Sequence, residues 1–166
     1  ISGTAIVYRY LEGLFKTVFR FLPDRRKDGY GLATRAVDWA IDQGARVVNM
    51  SWGGEATSEL ERDVMGYARG LGSLLVASAG NERSSEPHYP SALPGVLSVA
   101  SVGRSDLKAS YSNFGISVDI SAPGGSGFNE IYSTISPNRY GGKQGTSQAS
   151  PVVAGVFALV KSNNPG

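Results

Sequence analysis

Residues 46–77, RVVNMSWGGEATSELERDVMGYARGLGSLLVA, decide the fold of this 166-residue chain. The apolar runs at 46–50 and 74–77 have the length and composition of buried strands. Between them a helical pattern begins at Ser58, where Ser-Glu-Leu-Glu forms a capping box, and it runs to about Leu71. Two such strands joined by a helical crossover predict neighbouring strands of a parallel sheet.

The same alternation of strand and helix patterns continues on both sides of this unit. In residues 32–43 apolar residues recur at three- and four-residue spacing, and Gly44 is placed to cap the helix end. We expect further strands at 17–22 and 96–102, loops and hairpins at 105–139, and a buried, small-residue-rich helix at 150–160. Residues 1–166 thus predict one α/β domain with a doubly wound, mostly parallel sheet and helices on both faces.

The composition excludes several classes of protein. Apolar residues make up 41% and charged residues 18%, which is too apolar for a disordered chain. The net charge is only +2, and no stripe of Lys and Arg is interleaved with aromatic residues, so nucleic acid is not an expected partner. The absence of Cys excludes disulfides and thiol catalysis. No apolar run approaches the ~20 residues of a membrane helix, and Ile1 is expected to be a processed or truncated end.

A small polar cluster, Gly145-Thr146-Ser147-Gln148-Ala149-Ser150-Pro151, opens the last apolar helix. Ser147 has two interpretations there. It could be an N-cap, worth ~1 kcal/mol, or a nucleophile whose developing charge meets free helix N–H groups and the positive end of the helix dipole. The local residues alone favour the cap.

Two further polar turns follow predicted strands, at 51–54 and 78–81. Both are composed of small, turn-forming residues, so that backbone can approach a ligand closely. In open α/β sheets ligands bind at the carboxyl ends of the strands. These two turns are therefore candidate binding segments.

Five sequence segments resemble the subtilase family of serine proteases, from about residue 17 to the end of the chain. They are NMSWGG, VASAGNE, YPSALPGVLSVASV, YSNFGISVDISAPG and GTSQASPVVAG. The resemblance implies a subtilisin-like fold lacking its N-terminal strand or strands, and a chain that forms the nucleophile-bearing part of a peptidase domain. It implies Ser147 as nucleophile, with Asn81 and the Ser147 backbone N–H as oxyanion hole.

The resemblance also implies a polypeptide substrate and two segments that bind it. Ser51, Trp52 and Gly53 resemble the edge segment that pairs with substrate backbone. Ser78, Ala79 and Gly80 resemble the facing wall of the specificity pocket, which in the family tends to accept large apolar side chains. Trp52 has an alternative interpretation, as an aromatic residue that packs under a loop.

The base and orienting acid of a serine protease triad are not evident in the sequence. The single histidine, His88, falls in a loop beyond the Asn81 turn, where we expect a surface or pocket-rim residue. Ser2-Gly3-Thr4, followed by an expected apolar helix over 6–15, resembles the family's His-Gly-Thr helix with Ser2 in the histidine position. An N-cap is the alternative role for Ser2.

Three hypotheses remain open from the sequence. The chain is one piece of an active protease whose His and Asp lie elsewhere, a subtilase-like pseudoprotease that binds peptides or a partner protein, or an unrelated α/β binding module. We expect little peptidase turnover from the chain alone. We also expect an unpaired sheet edge that needs a companion chain or self-association. No cofactor is expected, although the family often binds structural calcium, and the resemblance implies a secreted protein.

Overall fold

A computed structural model describes residues 5–11, 14–19, 29–135 and 138–164. Six strands form one sheet in the order β2-β1-β3-β4-β5-β6, and two more form a separate hairpin. The six strands are β1 (Ala5–Leu11), β2 (Leu14–Phe19), β3 (Val47–Met50), β4 (Leu74–Ser78), β5 (Val96–Val102) and β6 (Ile120–Pro123). The hairpin comprises β7 (Ile131–Ile135) and β8 (Arg139–Lys143), and the helices are α1 (Gly29–Asp42), α2 (Glu59–Gly70) and α3 (Thr146–Asn163).

The unit predicted from residues 46–77 is confirmed. Strands β3 and β4 are parallel neighbours, with Val47 opposite Leu74. Helix α2 connects them, and the Ser58 side chain accepts a hydrogen bond from the Glu61 N–H at 3.1 Å, as an N-cap should. Gly44 follows α1 with φ +82°, a conformation that favours glycine. Strands β5 and β6 extend the parallel part of the sheet.

The two faces of the sheet carry separate apolar cores, which confirms helices on both faces. On one face Val48, Met50 and Leu75 pack with α1 and α2. On the other face Val47 and Val76, the intervening positions of the same strands, pack against α3. Parallel strands covered on both faces are mostly apolar rather than alternating, which is the pattern seen in β3 and β4 apart from Asn49 and Ser78.

The expectation that residues 150–160 form a fully buried helix is wrong for one side of α3. Ala154 is fully buried against the sheet. On the opposite side lies an exposed apolar stripe with 42–57% exposure, made up of Val152, Val156, Leu159 and Val160. The helix therefore has two apolar sides, and the described part of the chain covers only one of them.

The expected helix over 6–15 is also wrong, because β1 and β2 lie there. Residues 5–11, AIVYRYL, are rich in β-branched and aromatic residues, which favour strands. Strand β1 pairs antiparallel with β3, with Val7 opposite Val48, so this edge of β3 is covered within the chain. Ser2 itself lies outside the described residues, and the strand expected at 17–22 begins at Leu14.

None of the described helices is long and apolar enough to cross a membrane.

Candidate active site

The carboxyl ends of β3 and β4 meet the first turn of α3, and this junction holds the predicted site residues. Ser147 is the second residue of α3 and is half-buried. Its hydroxyl donates to the backbone oxygen of Ser51, just beyond β3, at 3.3 Å. That bond is at the long end of the hydrogen-bond range, so it holds the hydroxyl weakly.

Ser147 is not the N-cap of α3. The cap position belongs to Gly145, and no side chain caps this helix end. Gly145 has φ +151°, in a region that L side chains rarely adopt. The backbone N–H of Ser147 has no acceptor among the described residues, so it remains available to a ligand. The helix begins with an unoccupied donor beside the hydroxyl, as the nucleophile interpretation requires.

Asn81, which follows β4, is held by the residue before Ser147. Its amide oxygen accepts the Thr146 backbone N–H at 2.9 Å and the Thr146 hydroxyl at 3.1 Å. Because a backbone N–H can only donate, the oxygen of the amide must face Thr146. The amide nitrogen then points away from Thr146, and none of the described residues accepts from it. Asn81 thus offers an N–H₂ donor near the start of α3.

A buried polar network fixes this turn of α3 against the end of β3. The Ser51 hydroxyl donates to the backbone oxygen of Ser147 at 3.0 Å and lies 3.1 Å from the Ser150 hydroxyl. Since a hydroxyl has one hydrogen, Ser51 accepts from Ser150 and from the Asn49 amide, the latter at 2.8 Å. The Asn49 amide oxygen has no partner among the described residues, but the other groups of the network are paired, and they hold the backbone of Ser147 in place before any ligand arrives.

The predicted binding segments flank Ser147. Trp52 is a packing residue, which is the alternative that the sequence left open. Its side chain, 7% exposed, packs in the core with α1 and α2. On the β4 side Ser78 and Ala79 are buried, and the Gly80 N–H donates to the Thr146 hydroxyl at 3.2 Å.

His88 lies deeper than a surface position. Its side chain is 11% exposed, and Nδ1 lies 3.6 Å from the Glu82 carboxylate. Burial lowers the pKa of the imidazole, and the negative charges of Glu82 and Glu55 oppose that shift in part. No hydrogen bond joins His88 to Ser147 in the described part of the chain. The structure therefore does not place His88 as the base.

Sequence reasoning missed Asn113 as a support of the site. Its amide nitrogen donates to the Ala79 oxygen at 2.9 Å and to the Glu82 carboxylate at 3.0 Å. Its amide oxygen accepts the N–H groups of Glu82 and Ser84. In the sequence, the segment YSNFG was noticed only as part of the family resemblance, and an Asn inside it was the signal available. That this Asn is buried appears only in the structure.

The site offers a hydroxyl and two N–H donors that have no acceptor among the described residues. Within the residues described, no three His, Cys, Asp or Glu side chains lie together in a group that could hold a metal ion. The chemistry that the geometry permits is nucleophilic attack on a carbonyl whose developing negative charge meets N–H groups.

Comparisons with known proteins agree with this chemistry. Thermitase of Thermoactinomyces vulgaris is 36% identical over 143 residues, which are 86% of this chain and 50% of thermitase. The halolysin-like extracellular serine protease Nep of Natrialba magadii is 40% identical over 131 residues, covering 79% of this chain and 24% of Nep. The chain thus spans half or less of the length of these relatives.

A solved structure matches in three dimensions as well. The S218A mutant of the protease domain of PatA superposes with a TM-score of 0.75 at 29% identity, covering 84% of this chain and 52% of that one. The model of the subtilase family matches residues 18–166, nearly the whole chain. The chain therefore belongs to the subtilase family of serine peptidases.

Proposed function

We propose that this chain is the nucleophile-bearing part of a serine endopeptidase and that Ser147 attacks the peptide carbonyl. One observation carries the proposal. At the start of α3, the Ser147 hydroxyl lies beside its own unoccupied backbone N–H and near the amide of Asn81, which Thr146 orients. A nucleophile and two donors at one helix N-terminus are the parts that acyl transfer requires.

The first step forms a bond between Ser147 Oγ and the carbonyl carbon. The hydroxyl proton passes to a histidine imidazole, and the carbonyl oxygen becomes an oxyanion that accepts from the Ser147 N–H and the Asn81 amide nitrogen. When the C–N bond breaks, the leaving amine takes the proton from the imidazolium. Water then hydrolyses the acyl group from Ser147.

The histidine and its orienting aspartate are supplied by a segment outside residues 1–166 or by a separate chain, since the one histidine of these residues is His88. His88 does not serve, because its ring faces Glu82 and Gly53. The substrate backbone pairs with the segment at Ser51, Trp52 and Gly53, and Ser78, Ala79 and Gly80 form the opposite wall.

A companion chain or a second copy covers the exposed stripe of α3. Four apolar side chains, at positions 152, 156, 159 and 160, line one side of a helix whose other side is already buried. Exposed apolar stripes of this kind mark interaction surfaces. The protein works outside the cell, by similarity to Nep, whose name describes it as extracellular.

Labelling with a fluorophosphonate probe tests the proposal. We expect the probe to modify Ser147 in the full polypeptide with its companion, and Ser147→Ala to abolish modification. Ser162→Ala, which removes an exposed hydroxyl near the far end of α3, is the matched control and should label normally. Absence of labelling in the assembled protein would contradict a protease.

That negative result would support the second candidate, a pseudoprotease that binds peptide or a partner protein without cutting it. The observation that favours the pseudoprotease is the hydrogen bond that Ser147 Oγ makes. Among the described residues its hydrogen-bond partner is the Ser51 oxygen, not an imidazole. In that case peptide binding should survive in Ser147→Ala, although labelling is absent from every variant.

A further inference from the structure

The position of the reacting carbonyl defines where the neighbouring substrate side chain must go. The carbonyl carbon must contact Ser147 Oγ, which donates a hydrogen bond to the Ser51 oxygen beyond β3. The carbonyl oxygen must face Asn81, beyond β4. The substrate residue that carries this carbonyl therefore lies at the opening between the segments 51–53 and 78–81. Its side chain enters the space between these two segments.

His88 occupies the space between those two segments. A Cβ placed on Gly53 would collide with the Nε2 and Cδ2 side of the ring. A Cβ placed on Gly80 would lie 2.9 Å from Nδ1, on the other side of the ring. The gap between the two glycines is thus one imidazole wide, and His88 fills it.

Backbone hydrogen bonds fix the turn that carries His88. The next residue, Tyr89, exchanges two backbone hydrogen bonds with Gly54, at 2.8 and 2.9 Å. The His88 oxygen accepts from the Ser91 hydroxyl at 2.6 Å and from the Ala92 N–H at 2.9 Å. The point from which the ring projects into the space is therefore fixed.

The Glu82 carboxylate lies beside the ring, 3.6 Å from Nδ1, which is too far for a hydrogen bond. It accepts the Asn81 N–H at 2.8 Å and the Asn113 amide at 3.0 Å, and it faces His88 Nδ1. The lowered pKa leaves the imidazole neutral at pH 7. The base of the space is therefore a neutral, polar ring beside a fixed carboxylate.

We propose that His88 closes the base of the pocket for the side chain preceding the cleaved bond, so that compact side chains are preferred over large aromatic ones. This inference rests on the proposed function, because it takes Ser147 as the nucleophile and Asn81 as the oxyanion donor. It also departs from the large apolar preference that the family resemblance implied. Here the specificity of the site is set by one residue of this chain.

Two peptidyl phosphonate diphenyl esters that differ only in the residue next to phosphorus, Ala or Phe, test the pocket. Each forms a bond from Ser147 Oγ to phosphorus and releases phenol, so the labelling rate can be followed by mass spectrometry. We expect the full polypeptide with its companion to react at least about tenfold faster with the Ala probe, and His88→Ala to shift the ratio toward Phe by about tenfold or more.

Two variants control for general damage. His88→Gln keeps a polar side chain of similar size and should keep the preference for Ala. Glu86→Gln alters an exposed side chain of the same loop and should also leave the ratio unchanged. If Ser147 is labelled but the ratio is the same in wild type and His88→Ala, the pocket inference is wrong while the protease proposal stands.

If no variant is labelled, the proposed function fails, and binding still tests the pocket. Comparison with His88→Gln assigns the imidazole signals of His88 in an NMR spectrum, because His88 is the one histidine among residues 1–166. In Ser147→Ala we expect peptides ending in Ala to shift these signals, and peptides ending in Phe to need at least about tenfold higher concentration. Equal shifts with both peptides, or none with either, would overturn the inference.

Discussion

The backbone N–H of Thr146 donates to the amide oxygen of Asn81 at 2.9 Å, although the two residues are 65 positions apart in the chain. This bond joins the turn after β4 to the first turn of α3. It sets the orientation of the Asn81 amide before a substrate arrives, because the same oxygen also accepts the Thr146 hydroxyl. A donor that is already oriented loses no free energy to reorganisation during the reaction.

Asn81→Ala should therefore slow acylation of Ser147 without unfolding the protein. Loss of one oxyanion donor costs about 100- to 1,000-fold in rate, a figure that itself comes from a subtilisin. The measurement is the rate of phosphonate labelling in the assembled protein, with the thermal midpoint as a check on folding. Asn164→Ala, at the exposed end of α3, is the control. A labelling rate within twofold of wild type would contradict the role of Asn81.

Thr146→Val should destabilise the protein and slow labelling together. The hydroxyl of this fully buried residue accepts the Gly80 N–H and donates to Asn81, so its loss leaves a buried donor unpaired. We expect a loss of about 1–3 kcal/mol in the free energy of unfolding, measured with urea. Thr146→Ser keeps the hydroxyl and should lose less. Equal stability of the two variants would rule out the hydrogen-bond explanation.

The local signals of the fold were predictable from sequence, because each depends on neighbours in the chain. Ser58 caps α2, and β3 and β4 are parallel, as the pattern of residues 46–77 predicted. The N-terminal hairpin was missed because Ser2-Gly3-Thr4 was interpreted through a family motif. The residues that follow, AIVYRYL, favour a strand by their own composition.

The candidate site was predictable in its residues but not in its contacts. Ser147 and Asn81 belong to recognisable motifs. By contrast, the placement of His88 between Gly53 and Gly80 depends on how a loop 35 residues away packs on the end of β3. Sequence spacing carries no signal for such a contact. For the same reason the exposed side of α3 was missed, since apolar residues all round a helix predict burial on every side.

Ser58→Ala should cost about 1 kcal/mol of stability, because the Glu61 N–H at the start of α2 loses its acceptor. Ser58→Gly should cost only a few tenths of a kcal/mol, since glycine is tolerated at N-caps and lets water reach the free N–H. Urea unfolding of the two variants side by side measures the difference. If Ala were as well tolerated as Gly, the cap would not contribute in the way that its geometry indicates.

His88 should make the protein less stable as the pH falls below about 6.5, the usual pKa of histidine. Burial lowers its pKa in the folded state, so the unfolded chain binds the proton first and is favoured by acid. The loss begins near pH 6.5 and is complete below the lowered pKa. Glu82 and Glu55, the carboxylates that face the ring, reduce the shift without reversing it.

The difference in unfolding free energy between wild type and His88→Gln isolates this effect, because Gln does not titrate. We expect wild type to lose stability relative to His88→Gln between pH 7.5 and 5.5, above the range in which most carboxylates titrate. A wild type that gains relative stability over that range would mean that Glu82 outweighs burial and that the ring is charged.

Lysine substitutions in the exposed stripe of α3 should abolish association. Val156 and Leu159 lie at its centre, with 54% and 57% exposure, and neither is needed for the core that Ala154 and Val153 form against the sheet. In Val156→Lys/Leu159→Lys two charges would have to be buried in any interface, which is strongly unfavourable. Folding of the chain itself should be little affected, because both side chains already contact solvent.

Analytical ultracentrifugation checks this expectation. Wild type should sediment as a complex with its companion or as a self-associated species at tens of micromolar, and the double variant as a monomer with the same circular dichroism. Leu107→Lys and Ile116→Lys, which place lysines at exposed apolar positions elsewhere, should associate as wild type does. A wild-type chain that is a stable monomer at these concentrations would show that the stripe needs no partner. The companion proposal would then be wrong, because the chain would be stable while the apolar stripe of α3 stays exposed to solvent.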